Sequence, residues 1–151
     1  MNTTRRSAIQ ATGAFATLVS LGLITPSQAQ AAVDRASFSV KTLDDALKAI
    51  GGTPANSDQV SVVSPDIAEN GAVVPVGVVS KLPNTTDLYI IIEKNPTPFA
   101  AWFMIPAGTA ADVQTRVKMG QSTHVIAVVK ADGKLFSASK ETKVTLGGCG
   151  G

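Results

Sequence analysis

Between Thr42 and Ile50 the apolar residues recur at helical spacing, and from about residue 59 onward they recur with the two-residue period of strands. Leu43, Ala46, Leu47 and Ile50 share one helix face by their i, i+3, i+4, i+7 spacing. Thr42 is placed to cap this helix. Asp44 and Asp45 occupy its first turn, where the helix dipole favours negative charge. Gly51-Gly52 closes it and Pro54 prevents continuation.

Segments rich in Val, Ile, Thr and aromatics predict strands near 59–64, 71–80, 87–94, 99–105, 112–119, 122–131 and 134–146. Asn70-Gly71, Pro83-Asn84, Asn95-Pro96, Pro106-Ala107-Gly108 and Asp132-Gly133 punctuate them. Asp132-Gly133 is the strongest hairpin signal, because Gly tolerates the positive φ of a tight turn. Pro75 interrupts the run from Val73 to Val79, which predicts an edge strand or a bulge there. Seven short strands after one short helix predict an all-β fold, an immunoglobulin-like antiparallel β-sandwich.

Two of these strands are apolar on both faces. Leu88, Ile90 and Ile92 alternate with Tyr89 and Ile91; Phe99, Ala101, Phe103 and Ile105 alternate with Ala100, Trp102 and Met104. A two-layer sandwich needs only one apolar face per strand. The second face is covered either by the N-terminal helix or by a partner subunit. One short helix is too small to cover both strands, which favours a partner interface that includes Tyr89, Ile91, Trp102 and Met104.

The N-terminal stretch is different in kind. Arg5-Arg6 precedes a stretch free of charge from Ser7 to Val33, with an apolar middle at Ala14–Ile24 and an A-x-A site ending at Ala31. This is the pattern of a secretory signal peptide over residues 1–31. As a membrane span the apolar run is too short and is diluted by Thr17, Ser20 and Gly22. Thr4-Arg5-Arg6-Ser7-Ala8-Ile9 also resembles the twin-arginine export signal, with Ala8 where a bulky Phe is usual. The expected location is periplasmic, with no membrane attachment once the signal is removed.

Thirteen Lys and Arg stand against eleven Asp and Glu in the 151 residues. Two of the thirteen are Arg5 and Arg6, so the rest of the chain is formally neutral and its basic pI is no sign of nucleic-acid binding. One His and one Cys cannot make a structural zinc site, and no metal or other cofactor is expected. His124 lies in a strand without a nucleophile nearby in sequence, the carboxylates form no suggestive pair, and Gly51-Gly52-Thr53-Pro54 lacks the Lys of a phosphate loop. No catalytic residue is expected, and the chain does not read as an enzyme.

Candidate chemistry is concentrated in the tail. The only cysteine, Cys149, stands between Gly147-Gly148 and Gly150-Gly151. A buried structural Cys would have apolar neighbours; this one has a flexible arm without bulk, suited to threading into a narrow cleft of another protein. In an exported chain a single Cys implies a free thiol or an intermolecular bond. No Lys, Arg or His lies within five positions to activate it. A group carrier worked on by other enzymes fits such a thiol better than a nucleophilic enzyme does.

The chain resembles the SoxY family, the sulfur-carrier subunits of the bacterial thiosulfate-oxidising (Sox) system. The residues that carry the likeness are Ile67–Val76 (IAENGAVVPV), Glu93–Pro96 (EKNP), Thr115–Gln121 (TRVKMGQ), Val129–Leu135 (VKADGKL) and the terminal Gly-Gly-Cys-Gly-Gly. The resemblance implies a sandwich domain over 32–146 paired with SoxZ, and an arm at 147–151 on which Cys149 carries sulfur intermediates covalently. It further implies transient work with a haem enzyme (SoxXA), a metal-dependent hydrolase (SoxB) and a sulfur dehydrogenase, whose cofactors are their own.

Two other readings compete. Ubiquitin-like carriers also end in Gly-Gly and load sulfur as a thiocarboxylate, which would make Gly151 the reactive residue. A structural sandwich joined to a partner through a disulfide at Cys149 is the other.

Overall fold

A computed structural model describes residues 37–145. A single 3-10 turn, Ser37–Ser39, leads into helix α1, Leu43–Ile50. Thr42 caps α1 as its sequence position requires: its hydroxyl accepts from the Asp45 amide at 3.1 Å and donates to the Asp45 carboxylate at 2.8 Å. Gly51 takes φ 118°, and the Gly52 amide closes the end on the Leu47 carbonyl at 2.9 Å.

Nine strands follow among the described residues: β1 (Ala55–Asn56), β2 (Val60–Val63), β3 (Ile67–Ala68), β4 (Val74–Ser80), β5 (Thr85–Ile92), β6 (Phe99–Met104), β7 (Asp112–Val117), β8 (Thr123–Ala131) and β9 (Lys134–Val144). They form the two-layer sandwich expected from the strand pattern. The larger sheet runs β1-β9-β8-β5-β6, with β3 also paired to β9; the smaller runs β2-β4-β7. The seven main strands all pair antiparallel, whereas β1 and β3 each add a two-residue parallel bridge to β9. These bridges carry no periodic signal and were not expected.

The core between the sheets is built from the inward positions of three strands. Val74, Val76 and Val78 of β4 meet Leu88, Ile90 and Ile92 of β5 and Val125, Ala127 and Val129 of β8, all almost wholly buried. Asp132 and Gly133 both take positive φ and turn β8 into β9, the tight turn their sequence predicts.

The other face of the large sheet corrects the partner-interface expectation. Tyr89, Ile91 and Val128 are buried beneath this chain's own helix, against Ala46 and Ile50, with Trp102 partly buried at the margin. The Phe38 ring of the 3-10 turn meets Phe99 edge-on at 4.6 Å. The 3-10 turn thus adds cover that one short helix cannot supply alone. Of the four residues assigned to an interface, only Met104, 74% exposed, stands in the open.

A bulge in β6 moves one side chain to an unexpected face. Ile90 pairs with Ala101 but Ile91 pairs with Phe99, leaving Ala100 as the extra residue. Phe99 therefore joins Tyr89 and Ile91 beneath the helix, while Ala101 and Phe103 pack on the inter-sheet core. Simple alternation had placed Phe99 with Ala101.

Pro75 lies in the central strand of the small sheet, not in an edge strand, and the β4–β7 register runs unbroken past it. Its tolerance is local. β2 pairs with β4 only from Gly77 to Ser80, so at Pro75 the strand has β7 alone beside it. Gly71 to Val73 form a turn rather than the start of the strand, with the Ala72 amide bonded to Asn70 Oδ1 at 2.9 Å.

Candidate functional site

Cys149 and its flanking Gly147, Gly148, Gly150 and Gly151 lie outside the described residues, as do Arg5 and Arg6. What the structure describes is the root of the tail, where β9 ends at Val144 and Thr145 follows. β9 is the longest strand, and it outruns its neighbour. β8 begins at Thr123, paired with Thr142, so Val144 lies beyond the ladder. The Ser122 hydroxyl takes the place of the missing backbone partner, accepting from the Val144 amide at 2.9 Å and donating to the Val144 carbonyl at 3.4 Å.

The opposite side of the root is held by β3. Ala68 pairs with Val144, the Thr145 amide donates to the Ala68 carbonyl at 3.1 Å, and the Thr145 hydroxyl reaches the Glu69 carbonyl at 3.4 Å. Further back, Thr142 Oγ1 bonds Pro65 O and Ser64 Oγ, both at 2.9 Å, and Lys140 Nζ bonds Ser64 O at 2.6 Å. The segment carrying β3 is thus sewn along β9 up to the root. Gly71 packs so closely here that a Cβ would overlap the Met119 carbonyl oxygen and stand 2.8 Å from Val144 Cγ1.

Two loops complete the collar. The Asn95 side chain donates to Lys118 O at 2.7 Å and accepts from the Gly120 amide at 3.2 Å, stapling the β5–β6 turn to the β7–β8 turn. Gln121 Nε2 donates to Lys94 O at 3.4 Å, and the Lys94 amide donates to Thr123 Oγ1 at 3.1 Å. Segments 67–76, 93–96 and 115–121, far apart in sequence, therefore meet around Val144. Segment 129–135 falls at the other end of the sandwich, in the β8–β9 hairpin.

Exposed groups of both signs surround the collar, with Lys94, Lys118 and Lys143 against Glu69 and Glu141. His124, half-exposed, bonds Glu93 Oε2 through Nδ1 at 3.0 Å. The two side chains form a pair at the surface. A cleft of about 370 Å³ opens at the opposite end, lined by Ser80, Lys81, Asn84, Thr85, Pro106 and Thr109 among others, with Lys81 its one titratable group. Among the described residues no three His, Cys, Asp or Glu side chains gather where they could hold a metal ion. No helix of the described residues is long and apolar enough to cross a membrane.

A sequence model of the family described as "Sulfur oxidation protein SoxY" matches residues 46–149, which takes in the sandwich, the collar and the tail as far as the cysteine. The chain belongs to the SoxY family. The solved structure of the sulfur carrier protein SoxY from Chlorobium limicola f thiosulfatophilum is 36% identical, with a TM-score of 0.63, covering 70% of this chain and 97% of that one. A superoxide reductase (neelaredoxin) from Ignicoccus hospitalis is 17% identical, with a TM-score of 0.52, covering 61% of this chain and 95% of that one. That likeness is one of fold alone. No curated protein matched. As a SoxY-family protein the chain is a carrier of the sulfur-oxidation system rather than an enzyme.

Ser122 and Asn95 were given no role from sequence. In sequence Asn95 is part of a turn and of the EKNP segment, and Ser122 lies one position beyond the TRVKMGQ segment. The available signal was that segments 93–96 and 115–121 each border a strand end.

Proposed function

We propose that this chain is the covalent platform of thiosulfate oxidation, presenting thiosulfate-derived intermediates on the Cys149 thiol as a complex with SoxZ. The observation that carries the reading is the extent of the family match, which continues past the sandwich to Cys149. The anchored root supports it. Cys149 is the fourth residue after Thr145, a reach of about 14 Å in an extended chain, enough to enter a cleft while the sandwich stays outside.

In this reading the Cys149 thiolate and thiosulfate are joined oxidatively by SoxXA. One sulfur–sulfur bond forms, and two electrons pass to the haem enzyme, leaving thiosulfate's two sulfurs on the cysteine as Cys149 Sγ–S–SO₃⁻. SoxB then adds water across the sulfur–sulfonate bond, releasing sulfate and two protons and leaving a persulfide on Cys149. A sulfur dehydrogenase would oxidise the remaining sulfane sulfur. The protein's part is to hold and present each adduct, so it needs reach rather than catalytic groups.

Residues 1–31 would serve as a cleaved leader read through Arg5-Arg6, delivering a folded carrier domain, 32–146, to the periplasm with 147–151 as its arm. SoxZ would dock on the free edge of β6, where Met104 is exposed and Trp102 reaches the margin.

Intact mass of the chain isolated from thiosulfate-fed cells, before and after reductant, tests the reading. Reducible sulfur or sulfonate adducts at Cys149 are expected, and Cys149→Ser should abolish them without changing the melting temperature. A thiocarboxylate at Gly151 would transfer the function to the terminus, and a disulfide dimer as the sole modification would make the cysteine a structural link.

A further inference from the structure

The last residue of β9 depends on a side chain where the rest of the strand depends on backbone. By the β8–β9 register, in which Thr123 faces Thr142, the residue opposite Val144 would be Gln121. Gln121 is instead drawn away, its amide side chain bonded to Lys94 O. Ser122 fills the gap with one oxygen that accepts from Val144 N and donates to Val144 O. Only a hydroxyl can do both from that position.

Ser122 is itself firmly placed. Gly120 before it is bound by Asn95 Oδ1, and Thr123 after it receives the Lys94 amide. The turn that carries Ser122 is therefore tied to the neighbouring β5–β6 turn on both sides, and the hydroxyl is presented from a fixed base.

We propose that Ser122 is a positioning residue that fixes the point from which the Cys149-bearing tail departs, so that partner enzymes meet the thiol at a defined distance from the collar. This rests on the carrier reading for its functional half only. With the clamp in place the last anchored position is Thr145, and Cys149 is the fourth residue after it. Without it, the Val144 backbone is held on its β3 side alone, and Val144 and Thr145 fray together more often. The free length then becomes six residues, and a longer tether dilutes the thiol at any one target by about twofold, since effective concentration falls with roughly the −3/2 power of length. Misplacement of the tail's direction adds to that.

The test compares Ser122→Ala and Ser122→Thr in the mature chain, purified with its partner subunit. In Ser122→Ala, amide hydrogen exchange at Val144 should quicken by about tenfold, the worth of one net hydrogen bond, while Ala127 in the middle of β8 stays as protected as before. The KM of the carrier for thiosulfate loading by the haem enzyme should rise about two- to fivefold, with kcat and labelling by a small thiol reagent unchanged. Ser122→Thr, which keeps the hydroxyl, should restore both. Unchanged exchange at Val144 would overturn the clamp. Faster exchange with unaltered KM would overturn the positioning role, and equal acceleration at Val144 and Ala127 would make Ser122 a general structural residue. Should the unmodified chain accept no adduct at all, the carrier reading itself fails, and with it the positioning role, while the exchange data still decide the clamp.

Discussion

The indole N–H of Trp102 donates to Asp87 Oδ1 at 2.9 Å across the β5–β6 pair. The same ring lies nearly parallel to Tyr89, 5.9 Å between centroids, and Tyr89 in turn meets Phe99 edge-on at 6.0 Å. Trp102 thus ties the exposed end of β6 to the apolar layer beneath α1, with its polar edge satisfied at the rim. Trp102→Phe keeps a ring against Tyr89 and removes the donor. It should cost about 1 kcal/mol, the net value of one such bond at a half-exposed site, read as a fall of several degrees in melting temperature. No change would mean that water serves Asp87 equally well.

Met104 separates folding from association. It is 74% exposed at the end of an edge strand and contributes to neither apolar cluster. Met104→Asp should leave the melting temperature within about half a kcal/mol of the parent, as surface changes usually do, and should reduce co-purification with SoxZ if the β6 edge is the docking site. Full co-purification would direct the search to another face.

Gly71 is expected to tolerate no side chain. Gly71→Ala would press a methyl group onto the Met119 carbonyl and Val144, and relief requires moving either the β7–β8 loop or the end of β9. A loss of about 1–3 kcal/mol is expected from such overpacking. The displaced Val144 should also exchange its amide faster. An unaltered denaturation midpoint would show that the collar can open without strain.

The tail glycines can be tested without touching the sulfur. Replacing Gly148 and Gly150 with Val keeps Cys149 and the length of the arm, but adds branched side chains and excludes most positive-φ states. The melting temperature and the rate with a small thiol reagent should stay as they are. Turnover by the partner enzymes should fall by roughly 100-fold if a misplacement near 1 Å matters as it does for positioned substrates. A parallel fall in both rates would indicate occlusion, and no fall in either would show that entry does not require glycine.

Much of this architecture was legible because local chemistry and tertiary role agree. Thr42 and Gly51 cap the helix they flank, Asp132-Gly133 turns the hairpin, and the alternation of Leu88 to Ile92 is divided between two apolar layers as written. The illegible parts share a cause. The bulge at Ala100 has no composition of its own, yet it reverses the face of Phe99. β1 and β3 are two residues each, too short to show a period, and are defined only by what β9 offers them. The coverage of Tyr89 and Ile91 depended on where α1 docks, which periodicity cannot say. The candidate site was half legible for the same reason. A lone cysteine among glycines stands out in any reading, whereas Ser122 acquires meaning only from a strand that begins one residue after it.

The length of β9 also decides how the molecule bears a load. A pull on the end of β9 along the strand axis would act at right angles to the antiparallel hydrogen bonds that join β9 to β8 from Thr142 back to Lys134. Tension in that direction is shared by the whole ladder at once, with the parallel bridges of β1 and β3 resisting on the other edge. A pull directed across the strands would instead open the ladder one pair at a time. If Cys149 carries sulfur between enzymes as proposed, its withdrawal from one and its transfer to the next would load an entire hairpin in shear, with the sandwich as the handle.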